Sequence, residues 1–395
     1  MNIQFSDKIS GLQPSAIREI FKHMADPTVI AFAGGNPDPE SFPAVEFEKI
    51  ASDLFLKNSA VSLQYSITEG YTPLREAIVK RNSEKFNIGK DFDNTIVVSG
   101  GTQGLDLTCK VLCNEGDVVI CEKPSFIGAL NAFRSYNTRL VGIDMEDDGM
   151  NIAQLENALK TEKKVKFIYT IPNFHNPMGI TTSLEKRKAI YELAIKYNVI
   201  ILEDNPYGEL RFRGESIPAI KSMDTQGIVA YVGSFSKVLS AGMRVGFITA
   251  HADLIAKIVV AKQVTDLHTN IFFQMLVYEY MKTYDFDKHI AKIREIYKNK
   301  SSKMLECIDK HFPDSVKTTR PDGGLFLWCD LPNNIDGLAF SKNLLQNKIA
   351  VVPGSAFLCD EGASSSSIRL NYSMPSLEKI EIGIEILGNA IKKQI

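Results

Sequence analysis

One lysine stands among hydroxyl groups and an arginine, just after an apolar strand, in the stretch Ser234–Gly246. A lysine amine forms a Schiff base with an aldehyde only when it is unprotonated, so Lys237 would need an enclosed site that lowers its pKa. Ser234 and Ser236 offer hydroxyl donors, and Arg244 offers a planar set of donors that matches a phosphate. Aldehyde capture beside phosphate capture indicates pyridoxal 5'-phosphate, although the stretch alone is also typical of a solvated loop.

An acidic residue ends a second apolar run, Ile200–Asp204, and Pro206 and Gly208 follow it as breakers. In an open α/β sheet, ligands bind outside the carboxyl ends of the strands, so Asp204 is expected to face a pocket. A carboxylate there would keep a pyridine ring nitrogen protonated, which makes the ring an electron sink. Tyr207 follows with a phenol that can reach the 3-oxygen of that ring. Alone, the segment is equally typical of a capped strand end.

A third strand, Phe167–Thr170, leads to a turn at Asn176–Pro177. The amide of Asn176 can donate to the same 3-oxygen. His175, beside it, is interpreted as a packing or hydrogen-bonded loop histidine, because the lysine released by substrate already serves as a base.

A glycine-rich turn at Ser99–Gly104 separates an apolar strand from a helix. Free backbone amides at such a helix start, here including Gly101, bind anions, and Thr102 and Gln103 add side-chain donors. The turn lacks the G-x-G-x-x-G pattern, which argues against a dinucleotide. Phe126 follows a further strand and suits either stacking on a flat ring or a core position.

Together these segments resemble the fold-type I pyridoxal-phosphate aminotransferases of classes I and II, and most closely the branch of 2-aminoadipate and kynurenine aminotransferases. The resemblance covers nearly the whole chain, from Pro14–Arg18 and Gly34–Pro39 to Ser367–Ser373. It implies transfer of an amino group from an L-amino acid (2-aminoadipate, aromatic or aliphatic) to a 2-oxo acid such as 2-oxoglutarate. Lys237, Asp204 and Tyr207 would then be the catalytic residues.

The resemblance also implies roles that the motifs alone do not give. Arg369 would hold the α-carboxylate of the substrate beside Asn176, and Gly35 would close over the same group. Tyr65 matches a residue that relatives send into the neighbouring subunit's phosphate site, which implies a homodimer with shared active sites. Arg18 matches a segment that relatives place over the substrate side chain, where it would pair with a distal carboxylate or else be a solvated helix residue.

The cofactor-binding residues implied in this way are Tyr65, Gly101, Thr102, Gln103, Phe126, Asn176, Asp204, Tyr207, Ser234, Ser236, Lys237 and Arg244. Phe126 departs from the family pattern, in which tyrosine often occupies the stacking position, so any hydrogen bond made by that hydroxyl is in doubt.

Composition agrees with small-molecule chemistry. The 45 basic and 47 acidic side chains of the 395 residues nearly cancel, which gives no electrostatic footprint for nucleic acid or an anionic membrane. The six cysteines fall mostly in helix or strand patterns and are interpreted as reduced thiols. No metal site is expected, and neither a leader segment nor a long apolar run is visible, so cytoplasm is the expected location.

Strand and helix patterns alternate from about residue 95 to 250, which predicts an α/β fold with a mostly parallel sheet wrapped by helices. The resemblance implies that this sheet is of the seven-stranded type of the fold-type I enzymes. One of these helices is predicted over Leu184 to Tyr197, with Thr182 and Glu185 as a capping box. A long helical stretch from about 265 to 310 would lead to a smaller α+β domain. By resemblance, residues 36–285 form the large cofactor-binding domain, and residues 1–35 and 286–395 form a discontinuous small domain.

Two kinds of alternative function remain open at this point. One is a pyridoxal-phosphate lyase or decarboxylase on the same fold, against which Arg369 argues because an anchored carboxylate cannot leave. The other is a non-catalytic effector module like those found behind a winged helix in some transcription regulators. Only about 30 residues precede the Gly34–Gly35 loop, too few for a winged helix.

Overall fold

The computed structural model describes residues 3–10, 26–332 and 335–395. Its main sheet has the strand order β2-β9-β8-β7-β6-β3-β4-β5. These strands are β2 (Asp93–Val98), β3 (Val118–Lys123), β4 (Arg139–Glu146), β5 (Gly149–Met150), β6 (Val165–Thr170), β7 (Ile200–Asp204), β8 (Val229–Ser234) and β9 (Gly246–His251). Strand β5 has only two residues, and the other seven correspond to the sheet predicted from the sequence.

The centre of this sheet is parallel. Strands β8, β7, β6, β3 and β4 pair in parallel, whereas β9 runs antiparallel to both of its neighbours, β2 and β8. The central strands are nearly continuous apolar runs because helices cover both faces of a parallel sheet. Their carboxyl ends therefore meet at one edge, where the polar residues of the sequence motifs follow.

The helices of the described chain are α1 (Asp7–Ser10), α2 (Ala44–Lys57), α3 (Ser59–Ser62), α4 (Thr72–Phe86), α5 (Gly101–Leu112), α6 (Ile127–Arg134), α7 (Ile152–Thr161), α8 (Leu184–Tyr197), α9 (Ala252–Gln263), α10 (Ile271–Thr283), α11 (Phe286–His311), α12 (Gly337–Gln346) and α13 (Leu377–Lys392). Among the described residues, no helix is long and apolar enough to cross a membrane.

One helix cap and one helix boundary differ from the sequence expectation. Helix α8 has the predicted span, but its N-cap is Ser183, whose hydroxyl accepts from the amide of Lys186, and not the predicted capping-box residue Thr182. The amide of Thr182 donates instead to the carbonyl of Pro172 at 2.8 Å. The stretch predicted as one long helix is divided into α10 and α11, because the side chain of Asp285 caps a new helix start.

A second, antiparallel sheet lies toward the C-terminus, with the order β10 (Lys317–Thr318), β11 (Phe326–Asp330), β14 (Ser367–Asn371) and β13 (Val352–Pro353). Strand β1 (Ile30–Ala31) pairs in parallel with β12 (Ile349–Ala350), which ties residues near the N-terminus to the C-terminal part. This pairing supports the predicted domain division at 36–285 and at 1–35 with 286–395, and the division itself stays a prediction.

Candidate active site

A cavity of about 280 Å³ lies at the carboxyl ends of β6, β7 and β8. Strand β14 and the loop around Gly35 close it from the other side. The predicted site residues that line it are Gly35, Gly101, Thr102, Phe126, Asn176, Asp204, Tyr207, Ser234, Ser236, Lys237, Arg244 and Arg369. Residues remote in sequence therefore meet in one space, as the strand-end rule predicts.

Lys237 follows β8 and reaches across the cavity, where its Nζ donates to the carbonyl of Gly35 at 2.8 Å. Among the described residues, no carboxylate lies within ion-pair distance of this amine. Burial, together with the positive charges of Arg244 and Arg369, lowers the pKa of Lys237 to about 8. Such an amine loses its proton near neutral pH and can then act as nucleophile or base.

Asp204 is the last residue of β7, and its carboxyl is 5% exposed. The hydroxyl of Tyr169 donates to Oδ2 of Asp204 at 2.9 Å. Burial raises the pKa of this carboxyl to about 7; the Tyr169 hydrogen bond opposes that rise and the nearby charge of Glu122 adds to it. A buried carboxyl without a cationic partner would gain most from a protonated nitrogen placed beside it.

Arg369, on β14, is a buried cation without a carboxylate partner among the described residues. Its Nη1 donates to Oδ1 of Asn176 at 2.8 Å and its Nη2 to the carbonyl of Ala33 at 2.6 Å, while Nε has no partner in the part of the chain that the structure describes. The rings of Phe326 and Phe357 lie 4.3 and 4.9 Å from its guanidinium carbon. Burial lowers the pKa of Arg369 to about 10, so it stays charged at neutral pH and can hold a carboxylate.

Tyr207 and Asn176 lie side by side between Asp204 and Arg369. Burial, followed by the charge of Asp204, raises the pKa of the Tyr207 phenol above its ordinary value. The phenol therefore remains a hydrogen-bond donor at physiological pH. The asparagine amide nitrogen is likewise free to donate, because Arg369 occupies the carbonyl oxygen.

The other end of the cavity is built to hold an anion. Helix α5 begins at Gly101 with no side-chain cap. The amide of Gln103 donates to the carbonyl of Gly100 at 3.1 Å, whereas those of Gly101 and Thr102 have no partner in the described chain and can bind an anion. Arg244 approaches from the opposite side, with Nη1 3.4 Å from Oγ of Ser236 and Nη2 3.4 Å from the carbonyl of Ser99. Gly100 has a φ of +81°, a conformation that favours glycine, and a Cβ there would lie 2.2 Å from Nη2 of Arg244, so a side chain at this position would displace the arginine.

These three groups fit pyridoxal phosphate. The anion site matches its phosphate, the unpaired carboxyl of Asp204 matches a protonated ring nitrogen, and the low-pKa amine of Lys237 matches its aldehyde. The ring of Phe126 lines the same cavity between them. The donor set thus agrees with the cofactor inferred from the sequence.

Two predicted residues are not part of the cavity lining. Gln103 faces a polar network behind the turn: its Oε1 accepts from the amide of Ser99 at 2.7 Å and from Lys262 at 2.9 Å, and its Nε2 donates to Asp266 at 2.7 Å. Tyr65 is 79% exposed and packs edge-on against His268, outside the cavity. Arg18 lies outside the described residues.

Sequence reasoning missed several residues that shape the site. Phe326 walls the cavity beside Arg369, yet in the sequence it is an ordinary member of an apolar strand. Tyr169 donates a hydrogen bond to Asp204 from a buried position on β6. The only feature of the sequence that could have indicated this role is a hydroxyl group within an apolar strand. His175 is buried, and its Nδ1 accepts from the amide of Met178 at 3.4 Å, in agreement with its interpretation as a hydrogen-bonded loop histidine; its Nε2 lies 3.0 Å from Oε2 of Glu122.

Comparison with known proteins gives a consistent result. Residues 28–387 match the family model described as aminotransferase class I and II. An aromatic-amino-acid aminotransferase of Thermococcus litoralis is 41% identical, with 99% of this chain and 94% of the relative covered. A 2-aminoadipate transaminase of Thermus thermophilus is 37% identical, with coverages of 96% and 94%. The crystal structure of a Pyrococcus horikoshii kynurenine aminotransferase in complex with PMP superposes with a TM-score of 0.95 at 38% identity, covering 99% of this chain and 97% of that one.

Proposed function

We propose a substrate class and an assembly for this chain, which belongs to the class I and II aminotransferases and transfers amino groups with pyridoxal phosphate as its cofactor. The family, fold class, activity and cofactor predicted from the sequence are confirmed. The lyase, decarboxylase and effector alternatives are not favoured, because the relatives reported above are aminotransferases.

The amino donor is proposed to be an aromatic or aliphatic L-amino acid, with 2-aminoadipate accepted only through Arg18. The observation that carries this proposal is the apolar character of the rest of the cavity lining. It includes the side chains of Leu105, Phe126, Ile127, Ile171 and Phe326. The described lining cations, Lys237, Arg244 and Arg369, already have other roles, so a distal carboxylate would need a further cation.

The chain's own residues can be assigned as follows. Arg369 and Asn176 bind the α-carboxylate and orient the Cα–H bond toward Lys237. At pH 7 a lysine with a pKa of about 8 is neutral in about one molecule in ten, so Nζ of Lys237 can take the proton from Cα. When bound, pyridoxal phosphate supplies the carbonyl that accepts the amino group and the electron sink for the charge left at Cα. Asp204 would hold a proton at the ring nitrogen, and Tyr207 and Asn176 would donate to the 3-oxygen.

Half-reactions test the donor class. Wild type and Arg18→Ala, each loaded with cofactor, are mixed with phenylalanine, leucine or 2-aminoadipate alone, and the change in cofactor absorption is followed. Arg18→Ala is expected to weaken the apparent affinity for 2-aminoadipate by about tenfold or more, because a charge-assisted bond is lost. The affinities for phenylalanine and leucine should not change. Omitting 2-oxoglutarate is necessary because that acceptor also carries a distal carboxylate. An equal loss of reaction with all three donors would contradict a specificity role for Arg18.

We infer that the enzyme is a homodimer with shared active sites. Large apolar side chains are exposed at or just after the ends of α2, α3 and α9, among them Leu56 at 78%, Leu63 at 68% and Val264 at 77%. Tyr65, two residues after Leu63, is also exposed, and exposed apolar side chains mark interfaces where they form a patch. Tyr65 is thus available to a neighbouring subunit, as the family pattern suggests.

Mixing inactive chains tests the sharing of sites. If Tyr65 serves the partner's site, a dimer of one Tyr65→Ala and one Lys237→Met chain has one site with neither defect. Equal mixing should then restore up to about a quarter of wild-type activity. No recovery, or a fully active monomer by light scattering, would contradict the proposal.

A cytoplasmic location is also proposed, since all six cysteines are free thiols, as in reducing compartments.

A further inference from the structure

A second cavity, of about 460 Å³, lies on the other side of the strand ends that form the active site. Residues alternate between the two spaces: Asp204 and Tyr207 line the active site, whereas Asn205 and Gly208 line the second cavity. Pro206 and Ser234 line both. The second cavity is the larger of the two, and its volume lies within the range of small-molecule sites.

Apolar side chains form one part of its wall. Ile78 lies within helix α4 and Ile88 follows its end. Val238 comes from the segment after Lys237, Phe247 from β9 and Met281 from α10. Such a wall favours a ligand with an apolar body.

Nitrogen donors form another part of the wall, and Arg211 is the least compensated of them. Its nearest carboxylate is Asp322, 3.8 Å away and half exposed, while its guanidinium lies 4.8 Å from the ring of Phe174. Burial lowers the pKa of Arg211. The negative charge of Asp322 opposes this change, and the positive charge of Arg294 adds to it. The lining carboxylates do not neutralise it, since Glu209 pairs with Arg81 and Glu84 lies beside Lys80.

Within the described chain, three of the lining side chains also retain a buried nitrogen without a hydrogen-bond partner. These atoms are Nε of Arg81, Nδ2 of Asn82 and Nη2 of Arg211. Buried donors are costly when they remain unpaired, and all three atoms are donors rather than acceptors. The wall therefore has a surplus of donors and a partly uncompensated positive charge.

We propose that this cavity is a second small-molecule site, separate from the active site, which binds a carboxylate that carries an apolar body. The carboxylate pairs with Arg211 beside Asn82 and Arg81, and the apolar body packs against the wall formed by Ile78, Ile88 and Met281. The site is independent of the substrate proposed above, because it uses neither Lys237 nor Arg369.

Calorimetric titration of the cofactor-loaded enzyme with 3-phenylpropionate tests the proposal. Two molecules should bind per chain, one at Arg369 and one at Arg211. Arg211→Gln should raise the dissociation constant of the molecule at Arg211 by tenfold or more and leave that of the molecule at Arg369 unchanged. Arg213→Gln is the matched control, since Arg213 lies two residues away, donates to Ser302 and does not line the cavity. The neutral amide, 3-phenylpropionamide, should bind the second site at least tenfold more weakly.

Binding of one molecule per chain, or a second event that Arg211→Gln leaves unchanged, would overturn the proposal and indicate a cavity filled by water. Should Arg211→Gln fail to fold, Asn82→Leu removes another donor and should also weaken the second event. A crystal of the wild-type enzyme soaked with 3-phenylpropionate provides an independent check. Density for the ligand only at Arg369 would likewise refute a second site.

Discussion

Two buried lysines on neighbouring segments of the chain have opposite surroundings. Lys221 is fully buried, and its Nζ lies 2.7 Å from Oδ1 of Asp93 and 2.9 Å from Oδ2 of Asp224. Lys237 has no carboxylate within ion-pair distance among the described residues; it faces a carbonyl and two arginine charges instead.

This difference distinguishes a lysine that stabilises the fold from one that can take part in catalysis. Burial alone would raise the pKa of Asp224, but Lys221 and backbone amides bring it below its usual value, so this pair is held in the charged form. The surroundings of Lys237 disfavour its charge and lower its pKa, so part of the population carries a neutral amine at neutral pH. Burial of the same residue type therefore stabilises the fold in one place and creates reactivity in the other.

The same substitution at both lysines should have opposite effects, and the largest is expected at the active site. Lys237→Met should reduce amino transfer by on the order of 10⁴-fold, because it removes the amine that moves the proton. It should also change the visible absorption of the bound cofactor. The free energy of unfolding of the cofactor-free chain should not fall, since burial opposed the charge of this lysine. Amino transfer at the wild-type rate would refute its catalytic role.

Lys221→Met should instead lower stability. Removing the cation leaves the carboxylates of Asp93 and Asp224 buried without their partner, which costs about 3–5 kcal/mol in comparable pairs. Urea denaturation of the cofactor-free chains would measure this loss, with Lys237→Met as the matched control. The folded fraction of Lys221→Met should transfer amino groups at nearly the wild-type rate. Equal destabilisation by both substitutions would remove the distinction between the two lysines.

Two buried aspartates extend the comparison and give a smaller effect. Asp204→Asn should slow proton removal by about a hundredfold or more, because an amide cannot keep a ring nitrogen protonated. The cofactor-free chain should lose no stability, since the pKa of Asp204, raised to about 7 by burial, shows that its charge is disfavoured. Asp224→Asn should do the reverse: it should destabilise the chain and spare the rate. Single-turnover absorption and urea denaturation measure the two effects, and an unchanged single-turnover rate in Asp204→Asn would place the electron sink elsewhere.

Much of the fold and of the site could be predicted because strand ends are visible in sequence. An apolar run that stops at a polar residue places Asp204, Asn176 and Ser234 at one edge of a parallel sheet, whichever way the loops turn. The direction of a side chain beyond that edge is not visible. Gln103 satisfies the same motif as Thr102, yet its amide turns to Lys262 and Asp266, because one residue further along a helix faces about 100° away.

The sequence by itself predicted the family and the cofactor, because several strand-end motifs that are ambiguous singly occur together. These motifs also made Lys237, Asp204 and Arg244 candidate site residues, and Arg369 followed from the resemblance to the family. Only the tertiary structure decided which buried lysine pairs with carboxylates and which does not. Asp93, remote in sequence, reaches Lys221 as well as the neighbouring Asp224, and no carboxylate in the described chain reaches Lys237. It also decided that Phe326 and Phe357 enclose Arg369 and that a second cavity lies behind Pro206. These features depend on distances between segments, and local sequence patterns do not contain such distances.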